Sequence, residues 1–448
     1  MQRGNTSNII IPIILSTLHK FSSTVFGFLN FFILVRILSK FDLGIWSIFL
    51  FVIAAFELSK GSLLKNAHIR LIINSNEDVH SRIAGSSILV NSIFTIIFIF
   101  LLLLLGRTFS NWLNLGDQLY ELLQYYIPGL LIMIFFSHYE AVQQSYQNFK
   151  NGFTANLIRQ GIFFLCLFYH FAFNEIIALI DLVKYYTIGN ALGTIVLFFL
   201  TKKNISYKLQ YSYKIIREIL GYGTYMLGGN IVSQVSSNLD QILLSRLLSA
   251  DYIGYYGIAS RVMYAVDIPM NGASEAMFPS FTKASTEKDK TQFNLYLEKA
   301  IGSLLALIIP ICTVLYFSSE TIVQILAGPD FLDATVILQL YMLISIINIF
   351  RHQSSNTLLS LGKSKLHFFI TLNHFFATIL FIYIGITYFD YLGPAYARLC
   401  IAIVSLLFWI YLMKKLTNIS ITNILKYLID FYPTLSKKFI VKNSSKKR

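Results

Sequence analysis

Long apolar segments with few charges constrain this chain more than any other sequence feature. Most contain about 20 residues, enough for a helix to cross roughly 30 Å of hydrocarbon. There are twelve: Ile9–Ile37, Leu43–Leu58, Ile83–Leu105, Leu119–Phe136, Phe153–Phe173, Ile176–Leu200, Tyr222–Leu244, Ile253–Phe278, Leu297–Phe317, Ala334–Ser354, Phe368–Phe389 and Leu392–Met413. Strict period-two alternation, which is typical of membrane β-barrels, is absent, and helices satisfy their backbone hydrogen bonds internally. The sequence therefore predicts an all-α polytopic membrane protein with about twelve transmembrane helices.

The composition excludes an ordinary soluble enzyme. Only 13% of the residues are charged and 55% are hydrophobic, whereas a soluble domain carries about 25% charged residues. No P-loop, HExxH pair or nucleophile elbow is present. The three cysteines lie inside apolar segments and show no metal-binding spacing. We therefore expect no cofactor, no metal site and no enzymatic activity.

Lysine and arginine residues concentrate on alternate connections between the apolar segments. If the N terminus is cytoplasmic, the even-numbered connections hold most of them, with Lys60, Lys65 and Arg70 in the second. The odd-numbered connections hold only Arg36, Lys40, Arg107 and Arg246. This pattern follows the positive-inside rule and predicts that both termini are cytoplasmic. The formal charge of +14 is then explained by contact with anionic lipid headgroups rather than with nucleic acid.

Two sequence motifs recur in the second half of the chain. Arg36-Ile37-Leu38-Ser39, followed by Gly44, returns 210 residues later as Arg246-Leu247-Leu248-Ser249, followed by Gly254. A weaker match relates residues 145–157 to residues 360–372. The repeat predicts two parallel six-helix bundles, related by a pseudo-two-fold axis along the membrane normal. The alternative is that the motif is simply a common way to end one span and begin the next.

The predicted domains follow from this repeat. The first bundle covers residues 1–205 and the second covers residues 206–418. A basic cytoplasmic tail covers residues 419–448, and Ile419–Phe431 within it is typical of a short amphipathic helix at a membrane surface.

Charged residues inside the apolar segments are the candidate site. A charge at the centre of a bilayer costs about 2.5–3.5 kcal/mol, so each should face protein or water. The cations are Lys20, Arg159, Arg261, Arg351 and Arg398, and the carboxylates are Asp181, Asp240 and Asp267. The excess of cations predicts a net-positive cavity that binds phosphate or carboxylate groups. For the carboxylates, ion coupling and a structural role both stay open, because Asp181 and Lys184 are also spaced to pair on one helix.

Several segments carry a family resemblance. They are Asn238–Arg246, Ile253–Tyr256, Ala259–Arg261 and Met277–Pro279 in the second half, Val35–Trp46 in the first, and Gly362-Lys363 and Gly393–Ala397 near the end. Together they resemble the Wzx-type O-antigen flippases, the polysaccharide-export branch of the multidrug/oligosaccharidyl-lipid/polysaccharide (MOP) exporter superfamily. The resemblance implies a MATE-like fold in the bacterial inner membrane.

The function implied by the resemblance is translocation of undecaprenyl-diphosphate-linked oligosaccharide repeat units, for O-antigen or capsule, by alternating access. The cations named above would receive the diphosphate or acidic sugars. A polysaccharide polymerase and a chain-length regulator are partners implied by the family alone. The alternative is an ion-coupled multidrug or cation antiporter of the same superfamily. A membrane-embedded glycosyltransferase is disfavoured, because no connection is long enough to carry its catalytic carboxylates.

Overall fold

The computed structural model describes residues 7–73, 75–146, 148–173, 175–202, 210–286 and 290–445. Side chains are described over the same ranges except residues 7–20, 62, 66, 73, 77, 222–226, 229–230, 271–286, 290, 364 and 434–445. Helices occupy nearly all of these ranges, and no strand occurs in them. The chain folds as two compact units, Met1–Gly254 and Tyr255–Arg448.

Sixteen α-helices occur in the described ranges. The first nine are α1 (Ser7–Ile37), α2 (Lys40–Ile73), α3 (Glu77–Trp112), α4 (Gln118–Tyr125), α5 (Ile127–Ser145), α6 (Phe149–Ala172), α7 (Leu179–Thr201), α8 (Tyr213–Ser237) and α9 (Leu239–Leu247). The other seven are α10 (Ile253–Thr286), α11 (Lys290–Phe317), α12 (Ser319–Ala327), α13 (Ala334–Ser360), α14 (Ser364–Phe389), α15 (Gly393–Thr417) and α16 (Ile421–Ser445). The prediction of an all-α chain is confirmed.

Many of these helices are suited to crossing a membrane. In the described residues, seven helical stretches are long and apolar enough: 40–72, 78–112, 149–172, 179–201, 291–317, 334–360 and 365–417. The last has 53 residues and contains both α14 and α15. The pair α4 and α5, bent by 46°, makes an eighth if it counts as one span. All twelve predicted apolar segments lie largely on helices, and the total of twelve spans stays a prediction.

Helix α2 extends well beyond its predicted apolar segment. It continues past Leu58 to Ile73, so Lys60, Lys65 and Arg70 lie inside the helix instead of in a non-helical connection. Lysine and glutamate are good helix formers, so the end of an apolar segment does not end a helix. The orientation that was inferred from the positive-inside pattern stays a prediction.

The extended part of α2 is covered by α8. Leu63, Leu64 and Ala67 of α2 form one buried cluster with Ile219 of α8. This packing places α8 in the first compact unit, which ends at Gly254 rather than between residues 205 and 206. The repeat-based domain boundaries and the pseudo-two-fold relation stay predictions.

Both copies of the repeated motif place a serine cap before a helical segment. The Ser39 hydroxyl donates to Asp42 Oδ2 over 2.8 Å and accepts the Asp42 backbone N–H over 3.1 Å. In the second copy, the Ser249 hydroxyl donates to Asp251 Oδ2 over 2.6 Å and accepts the Asp251 backbone N–H over 3.3 Å. A serine oxygen that satisfies an early helical N–H is a favourable way to begin a helix. Both copies therefore begin a helical segment with a serine cap, α2 directly and α10 through a 3-10 turn at Ala250–Tyr252.

The two helix starts also pack against each other inside the first unit. Gly44 of the first copy lies so close to Ala250, in the second copy, that a Cβ at residue 44 would overlap the Ala250 carbonyl oxygen. The glycine of the first motif is thus required by a close backbone contact.

Candidate functional site

The predicted site residues divide between the two units. In the first unit, Arg159 lies on α6, Asp181 on α7 and Asp240 on α9. In the second unit, Arg261 and Asp267 lie on α10, Arg351 on α13 and Arg398 on α15. Lys20 belongs to α1, but its side chain lies outside the described residues. Each unit therefore contains its own set of predicted cations and carboxylates.

Arg159 is held by neutral groups. Its Nη2 atom donates to Asn156 Oδ1 over 3.0 Å, and its guanidinium carbon lies 4.8 Å from the centroid of the Phe136 ring. Its Nη1 atom lies 3.8 Å from the sulfur of Met133. No carboxylate among the described residues forms an ion pair with it. The half-buried Arg159 therefore retains a positive charge that an anionic ligand can neutralise.

A polar seam between α1 and α6 positions the Arg159 side chain. Ser23 Oγ accepts hydrogen bonds from Asn156 Nδ2 over 2.9 Å and from Gln160 Nε2 over 3.0 Å. The same Asn156 accepts from Arg159 through its Oδ1 atom. Asn156 is buried, so its contact with Ser23 limits the positions open to the arginine.

Helix α7 fixes the backbone beneath Arg159. A Cβ on Gly189 would lie 2.6 Å from the Arg159 carbonyl oxygen, and a Cβ on Gly193 would lie 2.8 Å from the Arg159 Cβ. Small residues permit this close approach of two helices. The glycines of α7 and the amides of α6 together hold Arg159 in one orientation.

Two ion pairs on α2 and α5 lie in the same unit. Lys60 Nζ is 2.7 Å from Glu57 Oε1 and is almost completely buried. Lys65 Nζ is 3.2 Å from Glu140 Oε1, which also accepts from Gln144. The charges of Arg159 and Glu140 act on Glu57 as well. These three cations and two carboxylates leave a net formal charge of +1.

Most of this network was not predicted from the sequence pattern, which placed Lys60 and Lys65 in a connection between two spans. The signal was nevertheless present, because Glu57, Lys60, Lys65 and His68 recur at offsets of 3, 8 and 11 residues. Those offsets place all four on one face of a helix.

His68 is part of a buried histidine pair beside these charges. Its Nδ1 atom lies 2.9 Å from Ser87 Oγ, and its ring centroid lies 5.8 Å from that of His138. Both side chains are buried. The interior of the first unit is thus polar along α2, α3 and α5.

The two predicted carboxylates of the first unit differ in their surroundings. Asp181 Oδ1 is 2.7 Å from Lys184 Nζ, and both side chains are largely exposed. The ion pair between Asp181 and Lys184 is the one that their three-residue spacing predicted. Asp240 is buried on the short helix α9. Neither observation tests a role in ion coupling.

In the second unit, the structure brings together charges from four helices. Arg351 Nε donates to Asn348 Oδ1 over 3.1 Å on α13. The charge on Arg351 acts on Asp267 of α10 and on His374 of α14, and the charge on Arg398 of α15 acts on Arg351. Asp267 therefore interacts with Arg351, and Arg351 in turn interacts with Arg398, so these three residues carry a net formal charge of +1.

Asp267 and Arg261 lie in different environments on α10. The Asp267 Oδ1 atom is buried and accepts no hydrogen bond from the residues that the structure describes. Arg261 is half-buried, and its Nη1 atom donates to the Gly257 carbonyl oxygen of its own helix over 3.1 Å. An apolar cavity of about 200 Å³ in this unit lies between α11 and α13, and no predicted site residue lines it.

Comparison with known proteins identifies related sequences. The family model described as "Polysaccharide biosynthesis protein" matches residues 33–336. An uncharacterized membrane protein in the cps region of Klebsiella pneumoniae is 25% identical over 439 residues, which cover 94% of this chain and 85% of that protein. The lipopolysaccharide biosynthesis protein WzxC of Escherichia coli (strain K12) is 22% identical over 198 residues, which cover 44% of this chain and 39% of that protein.

Solved structures show the same fold. The lipid II flippase MurJ in an inward closed conformation matches with a TM-score of 0.75 and 18% identity, over 96% of this chain and 93% of that one. An inward-facing multidrug resistance MATE family transporter of the MOP superfamily matches with a TM-score of 0.74 and 15% identity, over 91% of this chain and 99% of that one. The predicted MATE-like membrane fold is thereby confirmed.

Proposed function

Because this chain belongs to the family of polysaccharide biosynthesis proteins, we propose that it is a flippase for lipid-linked oligosaccharides. Its substrate is the undecaprenyl-diphosphate-linked repeat unit of an O-antigen or capsule. It moves this unit from the cytoplasmic to the outer leaflet of the bacterial inner membrane by alternating access. The named function of WzxC and the MurJ-like fold support this proposal.

The observation that carries the proposal is the environment of Arg159. A half-buried guanidinium whose direct contacts are an amide, a thioether and an aromatic ring favours an anionic ligand over an uncharged or cationic one. A diphosphate or an acidic sugar supplies the missing negative charge through charge-assisted hydrogen bonds. Lys20, Arg261, Arg351 and Arg398 are the further cations that we assign to headgroup binding.

The network on α2 gives Arg159 a defined electrostatic setting. Glu57 and Glu140 already form ion pairs with Lys60 and Lys65. Because these lysines are already paired, they attract an anionic ligand less strongly than Arg159 does. The charge of Arg159 remains available to bind that ligand. We propose that the ion pairs shape the site and that Arg159 contacts the substrate. The polysaccharide polymerase and the chain-length regulator stay predicted partners.

The antiporter alternative has one observation in its favour, which is Asp267. A buried carboxylate oxygen without a hydrogen-bond donor among the described residues suits a proton or a cationic substrate. The charge on Arg351 nevertheless acts on this carboxylate, and that positive charge disfavours a cationic drug. The two functions differ in which residue is essential, Arg159 or Asp267.

The test uses a strain that lacks this gene and expresses variants of the chain. The measured quantity is the fraction of lipid-linked oligosaccharide that a membrane-impermeant oxidant reaches in spheroplasts. Losing hydrogen bonds to a charged ligand costs about 1.5–3 kcal/mol, so Arg159→Gln should lower outer-leaflet delivery about 10-fold or more. Immunoblotting establishes equal expression.

Arg107 offers a matched control for that substitution. It lies at the end of α3, and its Nε and Nη2 atoms donate to Asp117 over 2.8 Å each. The hydrogen bond from Arg107 lowers the pKa of the Asp117 carboxyl, which is an exposed group. Arg107→Gln should leave delivery unchanged. Normal delivery by Arg159→Gln, or normal outer-leaflet delivery in the strain without the gene and without a second flippase, would refute the proposal.

A further inference from the structure

The tail helix α16 is fixed to α11 by a buried carboxylate. Glu298 of α11 is 5% exposed. Its Oε1 atom accepts the backbone N–H of Ser420 over 2.6 Å, and its Oε2 atom accepts Asn423 Nδ2 over 2.9 Å. Two charge-assisted hydrogen bonds therefore hold the start of α16.

Close packing continues along one face of α16. A Cβ on Gly302 of α11 would lie 2.7 Å from both the carbonyl oxygen of Ile424 and the Cβ of Tyr427. Further along, the Tyr432 hydroxyl donates to the carbonyl oxygen of Ala306 over 2.6 Å. Glu298, Gly302 and Ala306 are spaced four residues apart, so α16 follows one ridge of α11 for two turns.

A helix that begins the same way follows α7 in the first unit. There the backbone N–H of Ser212 donates to Ser86 Oγ of α3 over 3.0 Å, and a Cβ on Gly85 of α3 would overlap the carbonyl oxygen of Gln210. In both units a serine N–H binds a polar side chain next to a glycine contact. The start of the tail helix is thus held by the same kinds of contact as the start of α8.

A second face of α16 is apolar and covered by nothing in the described structure. Ile421, Leu425, Ile429 and Tyr432 are 39%, 52%, 68% and 53% exposed. Their intervals of four, four and three residues place them on one stripe of the helix. The stripe lies beside the face that Ile424 buries against α11, and its last residue, Tyr432, also reaches α11 through its hydroxyl group.

The sequence after this stripe is strongly basic. Residues 434–448 contain no Asp or Glu and contain six cations: Lys437, Lys438, Lys442, Lys446, Lys447 and Arg448. Lys426 is also exposed, beside the stripe. An apolar stripe flanked by lysines fits a bilayer leaflet with anionic headgroups, because the stripe enters the acyl region while the cations stay at the headgroups.

We propose that α16 is a lipid-binding helix: held on α11 through Glu298, it inserts the Ile421–Tyr432 stripe into a leaflet and binds anionic headgroups through the basic residues of the tail. This surface is independent of the headgroup site around Arg159. It gives the predicted surface helix a defined docking site and a defined lipid preference.

The test measures the depth of a nitroxide label on the full-length chain in vesicles. The three native cysteines are replaced by alanine, and single labels are placed at Ile429→Cys on the stripe and at Lys426→Cys on the flank. One set of vesicles contains phosphatidylcholine alone, and the other also contains phosphatidylglycerol. Collision rates with oxygen and with a water-soluble nickel chelate report the depth of each label.

We expect the label at residue 429 to collide several-fold more with oxygen than with the chelate, and the label at residue 426 to show the opposite preference. Phosphatidylglycerol should increase the difference, and replacing Lys437, Lys438 and Lys442 by glutamine should remove that increase. Equal exposure of both labels to the chelate would overturn the proposal. Insertion of residue 429 to the same depth in both kinds of vesicle would also overturn it. So would protection of residue 429 from the chelate that is lost when the protein is diluted with lipid, because that result indicates that a second copy of the chain covers the stripe.

Discussion

The buried ion pair between Lys60 and Glu57 makes a quantitative prediction. The two charges are 2.7 Å apart, with 1% and 17% of their side chains exposed. At an effective dielectric constant of about 20, their attraction is about 6 kcal/mol, and the cost of removing both ions from water offsets most of it. Replacing one partner leaves the other ion buried without its counter-charge. Glu57→Gln and Lys60→Met should each lower the free energy of unfolding by about 3–5 kcal/mol.

The double variant separates this explanation from a simple loss of packing. When both charges are removed, no uncompensated ion remains, so the double variant should be nearly as stable as the parent. The assay is equilibrium unfolding of the purified full-length chain in mixed micelles, titrated with dodecyl sulfate and followed by circular dichroism. A coupling energy of about 3 kcal/mol or more between the two substitutions is the expected result.

Asp181 and Lys184 supply the matched control for this cycle. They have the same three-residue spacing and the same 2.7 Å distance, but their side chains are 38% and 57% exposed. Solvent screens an exposed pair, so Asp181→Asn should leave the unfolding curve essentially unchanged. The reasoning fails if the buried and exposed pairs respond alike, or if the effects of Glu57→Gln and Lys60→Met simply add.

Two further predictions concern packing in the first unit and use the same unfolding assay. Gly44→Val places side-chain atoms against the carbonyl oxygen of Ala250, so it should lower the free energy of unfolding by about 1–3 kcal/mol. The control is Gly61→Ala on the same helix, where a new Cβ meets nothing within 4 Å. That substitution should be neutral or should raise the free energy of unfolding by up to about 1 kcal/mol. Equal effects at the two glycines would contradict the close contact. The Tyr126 hydroxyl accepts from Asn190 Nδ2 over 2.9 Å, and both side chains are buried, so Tyr126→Phe should cost about 1–3 kcal/mol by leaving that amide without its acceptor. An unchanged unfolding midpoint for Tyr126→Phe would show that water or another group replaces the hydroxyl.

The sequence was sufficient to predict the helices but not all of their ends. Apolar length is a direct physical requirement of a bilayer, so the segments that fill it are visible in the sequence. Helix α2 continues beyond Leu58 because α8 packs on its polar extension, and no local pattern reports that contact. Likewise, the docking of α16 depends on Glu298, which lies more than a hundred residues earlier in the chain.

The site was only partly predictable for a related reason. Arg159 is conspicuous because it lies inside an apolar segment, where the free-energy cost of placing a charge in the membrane requires an explanation. Lys60 lies just beyond an apolar segment, where a lysine ordinarily reaches water. Only the folded structure shows that its side chain is buried and paired with Glu57. Asp267, Arg351 and Arg398 lie on three different helices, and nothing in their spacing shows that their charges interact.

The contact between Gly44 and Ala250 limits how the two halves of this gene can diverge. Here each copy of the motif packs on the other, so a larger residue at position 44 is excluded unless the backbone at Ala250 moves. A chimera that takes one copy of the motif from a distant relative would combine two segments that do not fit each other at this contact. Recombination within this family should therefore tolerate breakpoints that keep residues 36–44 and 246–254 from the same parent.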